Sequence, residues 1–229
     1  MVKADHISFR TKESPPPGDT SVQQRLGGLK RRYLLIKRGA DLFCSLLVIG
    51  AVLSWLLPLM AIAIKLDSKG PVFFLQRRIG RGGRVFTCFK LRTMVVNPHA
   101  DERPASGNDD RITMAGRFLR ATHLDELPQF LNVLLGSMSL VGPRPYMLTD
   151  HHRFSILVPG HSFRNFVKPG ITGLSQVKGF HNAEMDFQTI FSRYQWDSFY
   201  VRNASFRLDM RILRKTIGVF LTQKIGIWK

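Results

Sequence analysis

Asp125 and Glu126 are adjacent carboxylates in a chain where 34 Lys and Arg outnumber 16 Asp and Glu, and Arg117 and Arg120 lie just before them. Leu127, Phe130, Leu131 and Leu134 recur at helical spacing, and Pro128 is tolerated only in a first turn. A helix is therefore expected to begin near Asp125, with both carboxylates at its N-terminus. The partial positive charge of that end and the two arginines predict that both groups are held ionised. An ionised carboxylate beside arginines can attack a phosphorus centre or hold Mg²⁺, while the guanidinium groups neutralise phosphate oxygens. Neighbouring helical residues point about 100° apart, so one carboxylate can bind metal while the other acts. The same pair also suits plain helix capping: Thr122 stands three residues before Asp125, and capping is the commoner use of a first-turn acid.

A second basic element follows in Gly136–Pro145, where Pro143 and Pro145 fix the backbone on either side of Arg144. A rigid arginine can fork bidentately onto a phosphate; an exposed turn would carry the same residues.

The elements that must position these groups come before them. Val72–Ile79 and Val85–Arg92 are rich in aromatic and β-branched residues and flank the glycine-rich Gly80-Arg81-Gly82-Gly83-Arg84, a pattern that predicts a β-hairpin. The loop lacks the Gly-Lys-Ser/Thr ending of a phosphate-binding P-loop and reads as a turn. Residues Asn97 to Asp110 carry Pro98, Pro104 and Gly107 and read as a mobile loop near the acidic pair.

From Leu42 to Ile64 the chain has no charged residue. As a helix this run would be about 35 Å long, against a hydrocarbon core of about 30 Å, so a membrane segment is favoured over a buried core helix. Basic residues flank both ends: Lys37 and Arg38 before, Lys65 and Lys69 after. Positive charge favours the cytoplasmic side, so both ends ask for that side. Pro58 should break the helix, which together with the flanks predicts a re-entrant hairpin rather than a straight span. Near the C-terminus, Arg207, Arg211 and Arg214 alternate with Leu208, Ile212 and Leu213 in a basic amphipathic helix, suited either to an anionic membrane surface or to packing with a solvated basic face.

Composition narrows the function classes. With 44% hydrophobic residues and 17 Phe the chain is too apolar to be disordered, although residues 1–29, with three consecutive prolines, read as a disordered tail. The remainder divides into a basic juxtamembrane segment with the membrane helix, 30–66, and a catalytic domain, 67–229. The net charge of +18 points to a polyanionic partner: nucleic acid, an anionic membrane surface or a phosphorylated substrate. The long uncharged run argues against nucleic acid. Cys44 and Cys88 sit in unlike contexts and suggest no disulfide.

The ordered motifs resemble the bacterial sugar transferase family, the monotopic polyprenol-phosphate phosphoglycosyl transferases. The likeness runs from about Lys37 to Thr222. It rests on Lys37-Arg38-Gly39-Ala40-Asp41, on Gly70-Pro71-Val72-Phe73-Phe74 with Gln76, Arg78 and Gly80, and on Phe89-Lys90-Leu91-Arg92-Thr93-Met94. It continues through Arg111-Ile112-Thr113, Leu124-Asp125-Glu126-Leu127-Pro128-Gln129, Met138–Pro145 and Lys168–Leu174.

The resemblance implies a mixed α/β fold: a re-entrant membrane helix broken at Pro58, and a compact cytosolic α/β catalytic domain with a β-hairpin and interfacial amphipathic helices. It implies transfer of a hexose 1-phosphate from a UDP-sugar, UDP-galactose or UDP-glucose, to undecaprenyl phosphate, with release of UMP, as the first membrane step of exopolysaccharide synthesis. Carried over by position, Asp125 is the nucleophile, Glu126 ligates Mg²⁺, and Arg120 and Arg144 contact phosphate, with Arg78, Lys90, Arg92 and Arg111 as further phosphate-binding candidates. The implied partners are anionic lipids and the downstream glycosyltransferases, at the cytoplasmic face of the bacterial inner membrane; contact between membrane helices is compatible with a homodimer. Hexose-specific members usually carry Arg after the Gly-Phe pair, where this chain has His181, so the donor sugar stays open. The rival readings are a non-catalytic membrane scaffold of the same fold, for which a broken acidic pair would be expected, and a basic nucleic-acid binder.

Overall fold

A computed structural model describes residues 31–96, 109–180 and 186–226, with side chains described to residue 219. The tail at 1–29, most of the 97–110 loop and His181 lie outside the described residues.

The uncharged run is helical throughout. Helix α1 (Arg31–Val48) passes through a π-helical turn, Ile49–Leu53, into α2 (Ser54–Asp67). The break expected at Pro58 is displaced: α2 continues through Pro58 to Asp67, and the irregularity lies in the preceding turn, where the Ser54 N–H bonds to the Ile49 carbonyl. A proline ring crowds the carbonyl four residues back, which for Pro58 is that of Ser54, and the wider π turn ends there. Side chains take up the loosened carbonyls, with Ser54 Oγ donating to Gly50 (2.6 Å) and Trp55 Nε1 to Ala51 (2.9 Å). The helix is long and apolar enough to cross a membrane. Phe43, Leu46, Leu47, Trp55, Leu59 and Ile62 stand exposed along it.

Both ends of this helix are fastened to the same body. In α1, the buried Asp41 accepts from Ser139 Oγ (3.1 Å) and the Leu140 N–H (3.0 Å). In α2, Met60 and Ile64 form a buried cluster with Leu91 and Leu119. Beyond α2 the buried Arg92 donates to the carbonyls of Ser68, Lys69 and Pro71 and to Ser68 Oγ, clamping the exit of the helix onto the hairpin.

The predicted hairpin is present as β1 (Phe73–Ile79) and β2 (Val85–Leu91), antiparallel with Gln76 opposite Cys88 and Arg78 opposite Phe86. Its glycine-rich loop is a turn closed by the Gly80 N–H on the Arg84 carbonyl (2.8 Å), with Gly82 and Gly83 at positive φ. Helix α3 (Met114–Ala121) follows, capped by Thr113 Oγ1, and then α4 (Gln129–Leu135). Asn132 of α4 is buried and docks on the outer edge of β2, accepting from the Phe89 N–H (2.9 Å) and donating to the Thr87 carbonyl (2.7 Å).

Strands β3 (Ser139–Val141) and β4 (Gly170–Thr172) pair in parallel. Their approach leaves no room for side chains at the glycines beside them: a Cβ on Gly142 would lie 2.3 Å from the Lys168 carbonyl oxygen, and one on Gly170 2.1 Å from the Gly142 nitrogen. Helices α5 (Leu148–Leu157), α6 (Leu174–Val177), α7 (Phe187–Asn203) and α8 (Phe206–Gly226) complete the order. The main core joins Cys88, Val133, Met138, Leu140, Val141, Leu174, Tyr200 and Ile212. In α8, Asp209 and Ile212 are buried while Arg207, Arg211 and Arg214 are exposed, so its inner face packs and its basic face points outward. The architecture is a mixed helix and strand fold, as expected.

Candidate active site

Asp125 and Glu126 do not start a helix. They lie in a 3₁₀ turn, Leu124–Glu126, entered through His123 at φ 56°, and α4 begins one turn later at Gln129 with Pro128 before it. The capping box expected from Thr122 is also absent, because Thr122 Oγ1 turns back to the Phe118 (2.8 Å) and Leu119 (3.2 Å) carbonyls at the end of α3. A left-handed residue between α3 and the 3₁₀ turn reverses the chain, which hydrophobic spacing alone does not encode. The reversal turns the carboxylates toward the hairpin.

One face of the hairpin supplies the cations. Paired residues share a face, so Gln76 and Arg78 of β1 stand beside Cys88 and Lys90 of β2. Lys90 Nζ lies 2.8 Å from Glu126 Oε1, and Arg144 Nη2 lies 2.6 Å from the same oxygen, with Arg144 Nη1 3.3 Å from Oε2. Burial pushes the Glu126 carboxyl up, but Arg144 and then Lys90 overcome it and hold the group well below the usual range.

Asp125 behaves differently. Burial raises its carboxyl, Lys90 opposes the rise, Glu126 adds to it, and Arg120 and Arg144 oppose it; the net direction is up. The field expected to hold both groups ionised therefore acts in opposite directions on the two, lowering the Glu126 carboxyl and leaving that of Asp125 raised. The two cations nearest the pair are spent on Glu126, and Asp125 keeps a higher affinity for its proton.

Arg144 is held as its flanking prolines predict, and from a source they do not reveal. Arg164 Nη2 donates to the Arg144 carbonyl (2.6 Å) while its guanidinium forms a buried ion pair with Asp197 (2.9 and 2.8 Å), which also accepts from Ser175 Oγ (2.8 Å). Arg144 forks onto Glu126, so the bidentate geometry anticipated for a phosphate is present with a carboxylate in that place.

The remaining candidates separate into two groups. Arg78 joins the cluster: it donates to the Pro145 carbonyl (2.7 Å) and to Gln76 Oε1, and the field of Arg144 reaches it. Gln76 is a residue that chemical reading passed over, although its place two positions from Arg78 puts both on one strand face. Arg120 feels the Asp125 charge and donates through Nε to Thr93 Oγ1 (2.8 Å). Arg92 and Arg111 make their contacts elsewhere, Arg92 on the Ser68–Pro71 backbone and Arg111 in an ion pair with Asp109 (2.6 Å). Pro58 stands in α2, away from this cluster in sequence and element.

Among the described residues no group of three or more His, Cys, Asp or Glu side chains could hold a metal ion. Mg²⁺ does not need one, since it commonly takes one or two carboxylates and fills its octahedron with water and substrate phosphate. Asp125 and Glu126 fit that donor set, provided that a cation on Glu126 gives way at one oxygen.

The family model described as "Bacterial sugar transferase" matches residues 32–223. A UDP-glucose:undecaprenyl-phosphate glucose-1-phosphate transferase of Xanthomonas campestris pv. campestris is 43% identical over 208 residues, which are 89% of this chain and 43% of that protein. One of the same name from Caulobacter vibrioides is 41% identical over 189 residues, 82% of this chain and 70% of the relative. The exopolysaccharide production protein PSS of Rhizobium leguminosarum bv. phaseoli is 40% identical over 202 residues, covering 84% and 98%. The chain spans less than half the length of its Xanthomonas, Klebsiella and Aeromonas relatives, at 43%, 40% and 44%. With a match over most of its length, carrying the acidic pair, the hairpin and the proline-bracketed arginine together, the chain belongs to the bacterial sugar transferase family.

Proposed function

We propose that this chain transfers a hexose 1-phosphate from a UDP-sugar to undecaprenyl phosphate, through a covalent intermediate on Asp125. The observation that carries the reading is the division of labour in the acidic pair: Glu126 locked between Lys90 and Arg144, and Asp125 beside it with no hydrogen bond to its carboxylate among the described residues.

In the first step an Asp125 carboxylate oxygen attacks the sugar-bearing phosphorus of the donor. The new O–P bond forms as the bridging P–O bond breaks, and UMP leaves with that electron pair. In the second step a phosphate oxygen of undecaprenyl phosphate attacks the same phosphorus. The acyl-phosphate bond breaks, Asp125 is restored, and a diphosphate-linked lipid sugar results. Splitting the transfer lets a soluble donor and a membrane acceptor use one site in turn. Arg144, Lys90 and Arg78 are placed to neutralise phosphate oxygens, and Arg120 to keep Asp125 ionised. Mg²⁺ on Glu126 would polarise the diphosphate when bound.

The attachment of both helix ends to one body supports a re-entrant arrangement at the cytoplasmic face of the inner membrane. A straight span of 37 residues would be about 55 Å long and would carry its ends to opposite sides of the bilayer. Relatives named for glucose, galactose and N-acetylgalactosamine transfer leave UDP-glucose and UDP-galactose as the first donors to try.

The test is UMP release by the detergent-purified chain with Mg²⁺ and undecaprenyl phosphate, each donor in parallel. Release that depends on lipid and falls by at least about 10³-fold in Asp125→Asn supports the reading. Equal release by Asp125→Asn overturns the nucleophile assignment.

A further inference from the structure

A second cation cluster lies outside the site. A cavity of about 260 Å³ opens where α1 meets the β3–β4 pair, and its lining includes Tyr33, Arg38, Asp41, Arg81, Phe166 and Lys168 but none of the residues around Glu126. Arg38 Nη2 and Lys168 Nζ lie 3.4 and 3.5 Å from the position a Cβ would take on Gly136, within the span one phosphate group can bridge. Arg38 donates to the Val133 (2.6 Å) and Leu134 (2.9 Å) carbonyls, which are dipoles and leave its charge uncancelled. Lys168 and Arg81 make no side-chain hydrogen bond or ion pair among the described residues, and Lys168 stands in the field of Arg38 and then Arg81. Lys37, also on the wall, is already paired with Asp209. The one carboxylate in the lining, Asp41, accepts at Oδ1 from Ser139 Oγ and the Leu140 N–H, and its charge acts on Lys168 against those of Arg38 and Arg81.

Three cations against the single carboxylate of Asp41 leave the cavity with a net positive charge, which suits it to an anion. Its position selects the kind. Arg38 precedes the uncharged run by four residues, and the half-exposed Leu34 and Phe166 supply apolar surface at the rim.

We propose that this cavity binds the phosphodiester of an anionic phospholipid, held by Lys168, Arg81 and Arg38, with its acyl chains along the membrane helix. The inference concerns attachment and orientation at the bilayer and does not depend on the transfer reaction.

The experiment uses the full chain, delipidated in a non-ionic detergent, and calorimetric titration with dihexanoyl phosphatidylglycerol, dihexanoyl phosphatidylcholine and inorganic phosphate. Phosphatidylglycerol should bind the wild type and Lys168→Arg alike, and at least about tenfold more weakly the doubly substituted Arg81→Gln, Lys168→Gln chain. Neither side chain makes a hydrogen bond among the described residues, so an unchanged circular dichroism spectrum is expected of both variants and keeps the comparison valid. Undiminished phosphatidylglycerol binding by the double variant overturns the proposal. Equal binding of phosphatidylcholine does the same, because its own choline neutralises the phosphodiester. If inorganic phosphate binds as tightly as phosphatidylglycerol, the cavity is a free-phosphate site and the lipid assignment falls.

Discussion

Glu126 and Asp209 are both carboxylates with a lysine nitrogen at 2.8 Å, yet their surroundings serve opposite ends. Asp209 on α8 accepts from Lys37 and Tyr33 (2.9 Å) of α1 and from Tyr200 (2.8 Å) of α7, and its side chain is 5% exposed. Two of its three donors are neutral hydroxyls, so the charge on each side is matched and nothing is left to attract a further ion. Glu126 instead faces two cations, Lys90 and Arg144, with Arg78 and Arg120 close behind, and Arg144 remains 32% exposed. One carboxylate is a rivet; the other is the counter-charge of an oversupplied basic cluster. The surplus is what an anionic substrate can use.

Glu126→Gln should therefore act chiefly on rate. Removing its charge loosens Lys90 and Arg144 and deprives the proposed magnesium of its ligand. Turnover is expected to fall by about 10²–10³-fold, the scale of losing a preorganised electrostatic partner. The thermal midpoint should move little, since water can reach Arg144. An equal loss of both quantities would place Glu126 with Asp209 among structural groups.

Asp209→Asn should show the converse. It leaves Lys37 without its counter-ion in a region only 15% exposed on the lysine side, where breaking such a pair costs about 3 kcal/mol. Heating in detergent should show an earlier loss of helical signal, with turnover per folded molecule nearly unchanged. A normal midpoint with lost turnover would erase the contrast.

The contrast also marks what the sequence makes legible. The hairpin is readable because its pattern is local: aromatic and β-branched residues on either side of the glycine-rich Gly80–Arg84. Arg144 is readable because two prolines enclose it. The membrane run needs only composition. What stays hidden is the choice of partner between distant segments. Asp41 finds Leu140 across 99 positions, and Arg164 finds Asp197 across 33; no periodicity connects them. Arg92 looks like any phosphate-seeking arginine until the backbone of Ser68–Pro71 is folded around it. The turn at Asp125 is hidden for a related reason. His123 in the left-handed region, rather than the helical spacing of Leu127, Phe130 and Leu131, decides where the two carboxylates point.

The smallest expected effect sharpens the pair itself. Asp125 must be ionised to attack, and burial raises its carboxyl while Arg120 pulls it down. The acid limb of kcat against pH should therefore lie above the ordinary aspartate range of about 3.9, with activity lost as pH falls through the raised value. Arg120→Gln removes one opposing charge, so the raised value goes higher and the limb moves toward neutral pH. Arg120→Lys keeps the charge and should hold the limb near its original position. The limb is the readout that separates two roles for this arginine. If Arg120 serves Asp125, the glutamine variant moves the limb and leaves KM for the UDP-sugar close to its starting value. If it holds substrate phosphate instead, KM rises and the limb stays in place. Glu126 cannot imitate the first result, because its carboxyl lies well below the usual range and is fully ionised throughout the window in which Asp125 titrates.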